Sequence, residues 1–230
     1  MNFDNMGYIR FYLTDYIFIT INDTLISTWL IGALLIALAI VVRIKIKNFK
    51  AVPETKFQNI IEAIVEMFDN YVVSIMTKRY RYFGPWFFGL FIFFLLSNLS
   101  GLTGLRNPTA DLALTLSMGI TTLVLMQFVG IKDNTRAHFK SYLAPVFIFL
   151  PLNIASDLAK AVSLSMRLFV NILSGMFLMG FIYYVFPWFL SIGIPGGLSL
   201  FFDVFMGVLQ AFIFVTISMF YIAMNTPEEA

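Results

Sequence analysis

Seven polar side chains recur at helical spacing through an otherwise apolar stretch: Asn153, Ser156, Lys160, Ser163, Arg167, Asn171 and Ser174. At about 100° per residue they all fall within about 40° of Arg167, so a helix carries them as one stripe. Arg167 stands inside an apolar run that begins near Leu143 and continues to Phe186. Its guanidinium cannot shed its charge, because its pKa lies above about 12. Holding that charge at bilayer depth costs roughly 3 to 10 kcal/mol. A stray polar residue, or an end residue snorkelling to the interface, does not bring six polar neighbours on the same face. This helix therefore faces something other than lipid. The chemistry open to a permanent cation there is electrostatic. It favours the ionised form of a carboxylate that comes beside it, and it repels other cations.

Within the presumed membrane spans the other ionisable side chains are Asp157, Lys160 and Asp203, with Asp111 at a boundary. Charges at that depth are candidate functional groups by default. The plain alternative is a buried Arg167–Asp203 ion pair that only holds two helices together. Asn171 lies one turn from Arg167 and either bonds it, lines an aqueous passage or satisfies nearby backbone. Asp157 and Lys160, three residues apart, form either a local pair or part of a hydrophilic route. Asp203 sits in LSLFFDVFMGVLQAFIF, with Gly207, Gln210, Phe214 and Tyr221 near one face. It can relay protons, bind a cation, or accept from Arg167. Asp111 either lines the mouth of such a route or caps a helix start.

Composition places these groups in a membrane. The 230 residues are 60% hydrophobic and 12% charged, and the mean hydropathy is +0.86. Soluble domains are nearer half apolar and a quarter charged. The chain reads as one all-α integral membrane domain, residues 1–230. It has no cysteine and a single histidine, His138. That leaves no disulfide, no thiolate, no histidine cluster for a metal and no Ser-His-Asp triad. Neither glycine-rich phosphate motif occurs, so no nucleotide cofactor is expected. The basic residues read as loop charges rather than as a nucleic-acid surface.

Five crossings account for the loop charges. Residues 1–23 mix acidic and aromatic side chains without the pattern of a secretory signal and are expected to stay attached at the outer surface. The first span, 24–42, is followed at once by Arg43, Lys45, Lys47 and Lys50, which places that end in the cytoplasm. Residues 53–76 repeat apolar side chains at three and four with acids on the other face, predicting an amphipathic interfacial helix. Spans follow at 84–102 and 112–131, joined outside through Arg106–Asp111. The segments 143–186 and 197–225 are the last two, with an uncharged outer turn over 187–197 and a cytoplasmic carboxyl terminus. A helix over Pro145–Phe186 is about 60 Å long, twice the hydrocarbon thickness, so it must tilt, kink or fold back.

The run SLSMRLFVN, Ser163 to Asn171, resembles the most characteristic motif of subunit a of the F-type ATP synthase. FQNIIE (Phe57 to Glu62), SNL (Ser97 to Leu99), PTADL (Pro108 to Leu112), LQAFIF (Leu209 to Phe214) and the acidic tail Glu228-Glu229 are similar to further family motifs, in order. The resemblance covers roughly Val52 to Ala230. It implies a stator subunit in a bacterial plasma membrane, with its last two helices tilted as a hairpin against a ring of c subunits. Subunit b of the peripheral stalk is a further implied partner, and H+ or Na+ the translocated ion. It assigns to Arg167 the gate between two half-channels. Lys160 matches a family lysine seven residues before that arginine, and Gln210 a glutamine opposite it. Ser163, Asn171, Asp157, Asp203 and Asp111 join the ion-pathway candidates. Many bacterial members carry glutamate nine residues after the arginine, where Met176 stands here, and histidine where Asp203 stands. The outer half-channel is then expected to depend on Asp203. The rival reading is a standalone secondary transporter or channel with a gating arginine. Such proteins often contain inverted repeats, and none is visible in this chain.

Overall fold

The computed structural model describes residues 2–4, 8–14, 17–47, 55–103, 105–143, 146–185, 196–198 and 200–225. Pro53, Glu54, most of the turn over 187–197 and the tail Glu228-Glu229 lie outside them. Five helices are long and apolar enough to cross a membrane. The membrane part is all-α, as its composition requires.

Three short strands precede it: β1 (Asn2–Asp4), β2 (Tyr8–Thr14) and β3 (Ile17–Asn22). They pair antiparallel in the order β1-β2-β3, with an irregularity between Tyr12 and Thr14. This meander is absent from the sequence reading, which left residues 1–23 without an element.

Helix α1 (Asp23–Ile46) is apolar nearly all round and buries only Thr24, Ser27 and Ile31 against the rest of the chain. That is the pattern of a helix in lipid. Asp23 at its start and Arg43 and Lys45 at its end complement the helix dipole. Helix α2 (Lys56–Met76) is the amphipathic one, and Thr55 caps it by accepting from the Gln58 amide at 3.3 Å. It ends at Thr77, whose φ of 68° is unusual for a β-branched residue.

Helix α3 (Gly84–Leu99) follows a 3-10 turn over Lys78–Phe83. Helix α4 runs Leu112–Leu143 and α5 Leu150–Val185. A π-helical stretch, Leu200–Met206, leads into α6 (Gly207–Met224). At 36 residues, α5 is about 54 Å long, so a bilayer core of about 30 Å cannot hold it upright.

Helix α6 is the central post. Ala211, Phe214, Val215, Met219 and Ile222 are buried in one core with Phe87, Leu90 and Phe94 of α3, Met126 and Val129 of α4, and Leu164 and Leu168 of α5. The Phe94 and Phe214 rings meet at 4.5 Å. Helix α2 docks on the same post, where Tyr71 stacks on Phe212 and its hydroxyl lies 2.6 Å from Thr216 Oγ1. Glycine at 119 lets α4 and α5 touch. A Cβ there would come within 2.6 Å of the Ala161 carbonyl and closer still to Ser165.

Candidate functional site

Helix α5 divides its surface sharply. Ala161, Leu164, Ser165, Leu168, Gly175 and Ile182 are buried against the chain. The polar stripe runs along the edge of that buried face. Along it Asn153, Lys160 and Asn171 are half-buried, whereas Ser156, Ser163, Arg167 and Ser174 are exposed. Arg167 makes no hydrogen bond or ion pair among the described residues, so the plain Arg167–Asp203 pair is not formed. Around it Val162, Met166, Val170 and Phe177 are exposed and apolar. The described residues supply no counter-charge to this cation.

Toward the end of α5 nearer Val185, a cavity of about 440 Å³ opens between α5, the π-helical stretch and the α3–α4 connection. Its lining brings together Asn171, Met176 and Asp203, and adds Asn98, Arg106 and Asn107. The Asp203 carboxylate lies against Gly101, where a Cβ would sit 3.4 Å from Oδ1. A π-helical turn is rare and is frequently found at functional sites. Here it begins at Leu200 and carries Asp203.

A buried hydrogen-bonded staple fixes that turn. Asn98 Nδ2 donates to the Gly207 carbonyl at 2.9 Å. The Thr109 hydroxyl lies 2.8 Å from Asn98 Oδ1 and 2.7 Å from Asn107 Oδ1. A Cβ at Gly207 would meet Asn98 Cβ at 2.8 Å, so only glycine lets the two helices close here. The SNL and PTADL segments are thus tied to the start of α6. Asp111 serves the same corner. Its carboxylate accepts from the Ala113 amide at 2.9 Å and from Thr24 of α1 at 3.1 Å. It caps α4, and it is not part of the cavity lining. Gln210 is buried on α6, and its amide nitrogen has no hydrogen-bond partner among the described residues.

Toward the other end of α5, Asp157 and Lys160 are paired at 2.7 Å. Gln127 Nε2 donates to Asp157 Oδ2 at 2.9 Å and to the Tyr142 hydroxyl at 2.6 Å. Tyr142 in turn donates to the same Asp157 oxygen. His138 Nε2 donates to Gln127 Oε1 at 2.8 Å, since a carbonyl oxygen can only accept. Burial, and then the bond to Asp157, push the Tyr142 phenol up to about 12. On a straight helix Gln127 and Tyr142 would stand about 22 Å apart, so α4 turns back sharply between them. The imidazole of His138 packs on Gly130, where a Cβ would come within 2.5 Å of Nδ1. A second cavity, of about 390 Å³, borders Gln127, His138, Tyr142 and Asp157. At 1.5 Å per residue Arg167 lies about 15 Å along α5 from Asp157 and about 6 Å from Asn171. It stands between the two cavities and lines neither.

The sequence reading did not assign Asn98, Asn107, Gln127 or Tyr142 to a site, and it used His138 only to exclude a histidine metal cluster and a Ser-His-Asp triad. Asn98 and Asn107 were visible as polar residues flanking a turn. The signal for the others was His138 and Tyr142 one turn apart, at the end of the charged stretch that begins at Lys132.

Residues 25–223 match the model of the family described as ATP synthase A chain. The chain is 33% identical to "ATP synthase subunit a, sodium ion specific" of Propionigenium modestum, over 88% of this chain and 73% of the relative. It is 32% identical to "ATP synthase subunit a" of Moorella thermoacetica, over 89% of this chain and 91% of the relative. For the Nitrosospira multiformis protein of the same name the values are 30%, 93% and 83%.

Proposed function

The chain belongs to the ATP synthase A chain family, and we propose that it is the stator against which a rotor ring turns, with Arg167 as its electrostatic gate. Membership makes it an ion-translocating, multi-pass subunit of the membrane sector. The finer mechanism is our reading, and one observation carries it. Arg167 and the stripe serines Ser156, Ser163 and Ser174 are exposed on α5, while the chain closes over the adjoining face through Ala161, Leu164, Ser165 and Leu168.

In this mechanism each ring subunit presents a carboxylate that must lose its proton or sodium ion on passing the stator. The fixed charge of Arg167 favours the ionised carboxylate, by one to three pKa units in typical close pairs. The same charge repels a cation crossing directly between the two access routes. An ion must therefore ride the ring for almost a full turn. Arginine suits the task better than lysine, which loses its proton when desolvated. The cavity holding Asp203 and Asn171 is the outer route, and the Asp157–Lys160 side is the inner one. Ser163 lies on the face turned to the ring, and Gln210 supplies a donor beneath it. Basic residues after α1 and around 132–140 place those ends in the cytoplasm and the amino terminus outside. Subunit b of the peripheral stalk is expected to hold the stator in place, and ATP chemistry occurs on other subunits.

Proximity to the ring is directly testable, because the chain has no native cysteine. Ser156→Cys, Ser163→Cys and Ser174→Cys should each cross-link to a cysteine beside the ring carboxylate. Leu168→Cys, on the buried face, should not. Cross-linking of Leu168→Cys alone would contradict the assignment.

A further inference from the structure

A cavity of about 470 Å³, which the gate and its two routes do not use, lies between α2, the 3-10 turn over Lys78–Phe83 and the start of α3. Its size is that of a small-ligand site. The walls are apolar: Val65 and Phe68 come from α2, Pro85 and Phe88 from α3. The Phe68 and Phe88 rings meet edge-on at 5.1 Å, while Val65 and Pro85 are exposed, so the space is a preformed groove open to the outside. The charged side chains of its lining are Arg81 and Asp69, which form an ion pair. Asp69 takes Nε and Nη2 of the guanidinium, and Nη1 has no partner among the described residues. Arg81 is thus oriented, exposed and left with donors to spare.

The surroundings define the occupant. Tyr82 also lines the groove, and Lys132 of α4 holds its Nζ 5.6 Å from the centre of that ring. Arg79 is paired with Asp133, and Lys78 is exposed. Lys78, Arg79, Arg81 and Lys132 against Asp69 and Asp133 leave this corner with two positive charges in excess. All the charged residues of the span Lys78–Thr103 stand at its start, and Phe88 is seven residues further in than Arg81. Positive charge therefore sits at the membrane surface, with an apolar groove running below it. A phospholipid has the same layout, a phosphodiester above an acyl chain. We propose that this groove binds an anionic phospholipid, with the phosphodiester on Arg81 Nη1 and Lys132 and one acyl chain between α2 and α3. Guanidinium and phosphate form strong charge-assisted bonds, whereas a zwitterionic headgroup brings an ammonium to a corner that is already positive.

The test is photolabelling of the assembled complex in phosphatidylcholine vesicles. They carry a small fraction of a probe with a diazirine on one acyl chain, either phosphatidylglycerol or phosphatidylcholine. Mass spectrometry measures the label between Val65 and Phe88, divided by that on α1, whose surface is apolar nearly all round. The ratio should be at least about tenfold higher with the phosphatidylglycerol probe, since each basic residue at an anionic headgroup is worth about fivefold. Arg81→Gln and Lys132→Gln should each lower that preference about fivefold. Val65→Trp, which fills the groove, should lower the label with either probe. Lys140→Gln removes an equal charge that does not border the groove and should leave the preference unchanged. An equal loss in Lys140→Gln would reduce the effect to overall surface charge and overturn the proposal. Equal labelling by the two probes would overturn it too. So would no label between Val65 and Phe88 in the intact complex, the result if a helix of a partner protein filled the groove. Should Arg81→Gln fail to assemble, Lys132→Gln carries the same test, because Lys132 makes no ion pair among the described residues.

Discussion

Arg167 is charged at every accessible pH, exposed on α5, and ringed by apolar side chains that would otherwise face lipid. In the proposed mechanism the gate needs a negative partner that comes and goes, which a permanent internal ion pair would exclude. Asp203, to which the proposed mechanism gives the complementary task, lines a cavity of about 440 Å³, roomy enough for several waters. Asp203→Asn should keep the complex assembled and slow ATP-driven pumping at least about tenfold, the low end of what a placed proton-transfer group contributes. Near-normal flux in that variant would contradict the relay role. Met176 lines the same cavity and is half-exposed. Met176→Glu should therefore assemble normally, as judged by a native gel, because its carboxylate can be hydrated. The residues of the α5 stripe were legible from spacing alone, since one helix carries them all. Gln127 and Tyr142 were not, because their meeting depends on a turn inside α4 that a lone glycine, Gly130, does not announce.

Element by element, the helices that cross the membrane follow from length and apolar content, and α2 from its alternation of faces. What periodicity could not supply was the local departures from it. The π-helical stretch at Leu200–Met206 reads in sequence like any other apolar helix, yet it carries Asp203. The amino-terminal meander lies in a segment whose mixed polar and aromatic residues carried no helical period. Two glycines hold the helices at the distances the site requires. Gly207→Ala would push Cβ against Asn98 and break the staple. We expect about 1–3 kcal/mol of destabilisation, as for an overpacked core, seen as a lower melting temperature of the purified complex. Gly119→Ala should act more strongly, because the obstruction includes the backbone carbonyl of Ala161, which cannot rotate away. An unchanged melting temperature in both would contradict the packing described for α3, α4, α5 and α6.

At the scale of the whole molecule, α5 is a track with a cavity toward either end and a fixed cation between them. In the proposed mechanism that layout separates two access routes without any moving part in the stator itself. The cysteine-free chain allows the sidedness to be measured. Met176→Cys should react with a membrane-impermeant thiol reagent from the outer face. Ile154→Cys, which borders the second cavity, should react from the cytoplasmic face. Reversed sidedness would contradict the proposed orientation. The family-level identity was legible in the motifs, and the matched span of residues 25–223 now includes four of the five that suggested it, together with SLSMRLFVN. The most direct measurement is ATP-driven ion pumping in inverted vesicles carrying Arg167→Gln, with assembly verified on a native gel. The account predicts an intact complex that hydrolyses ATP and pumps nothing. Normal pumping from that complex would contradict it.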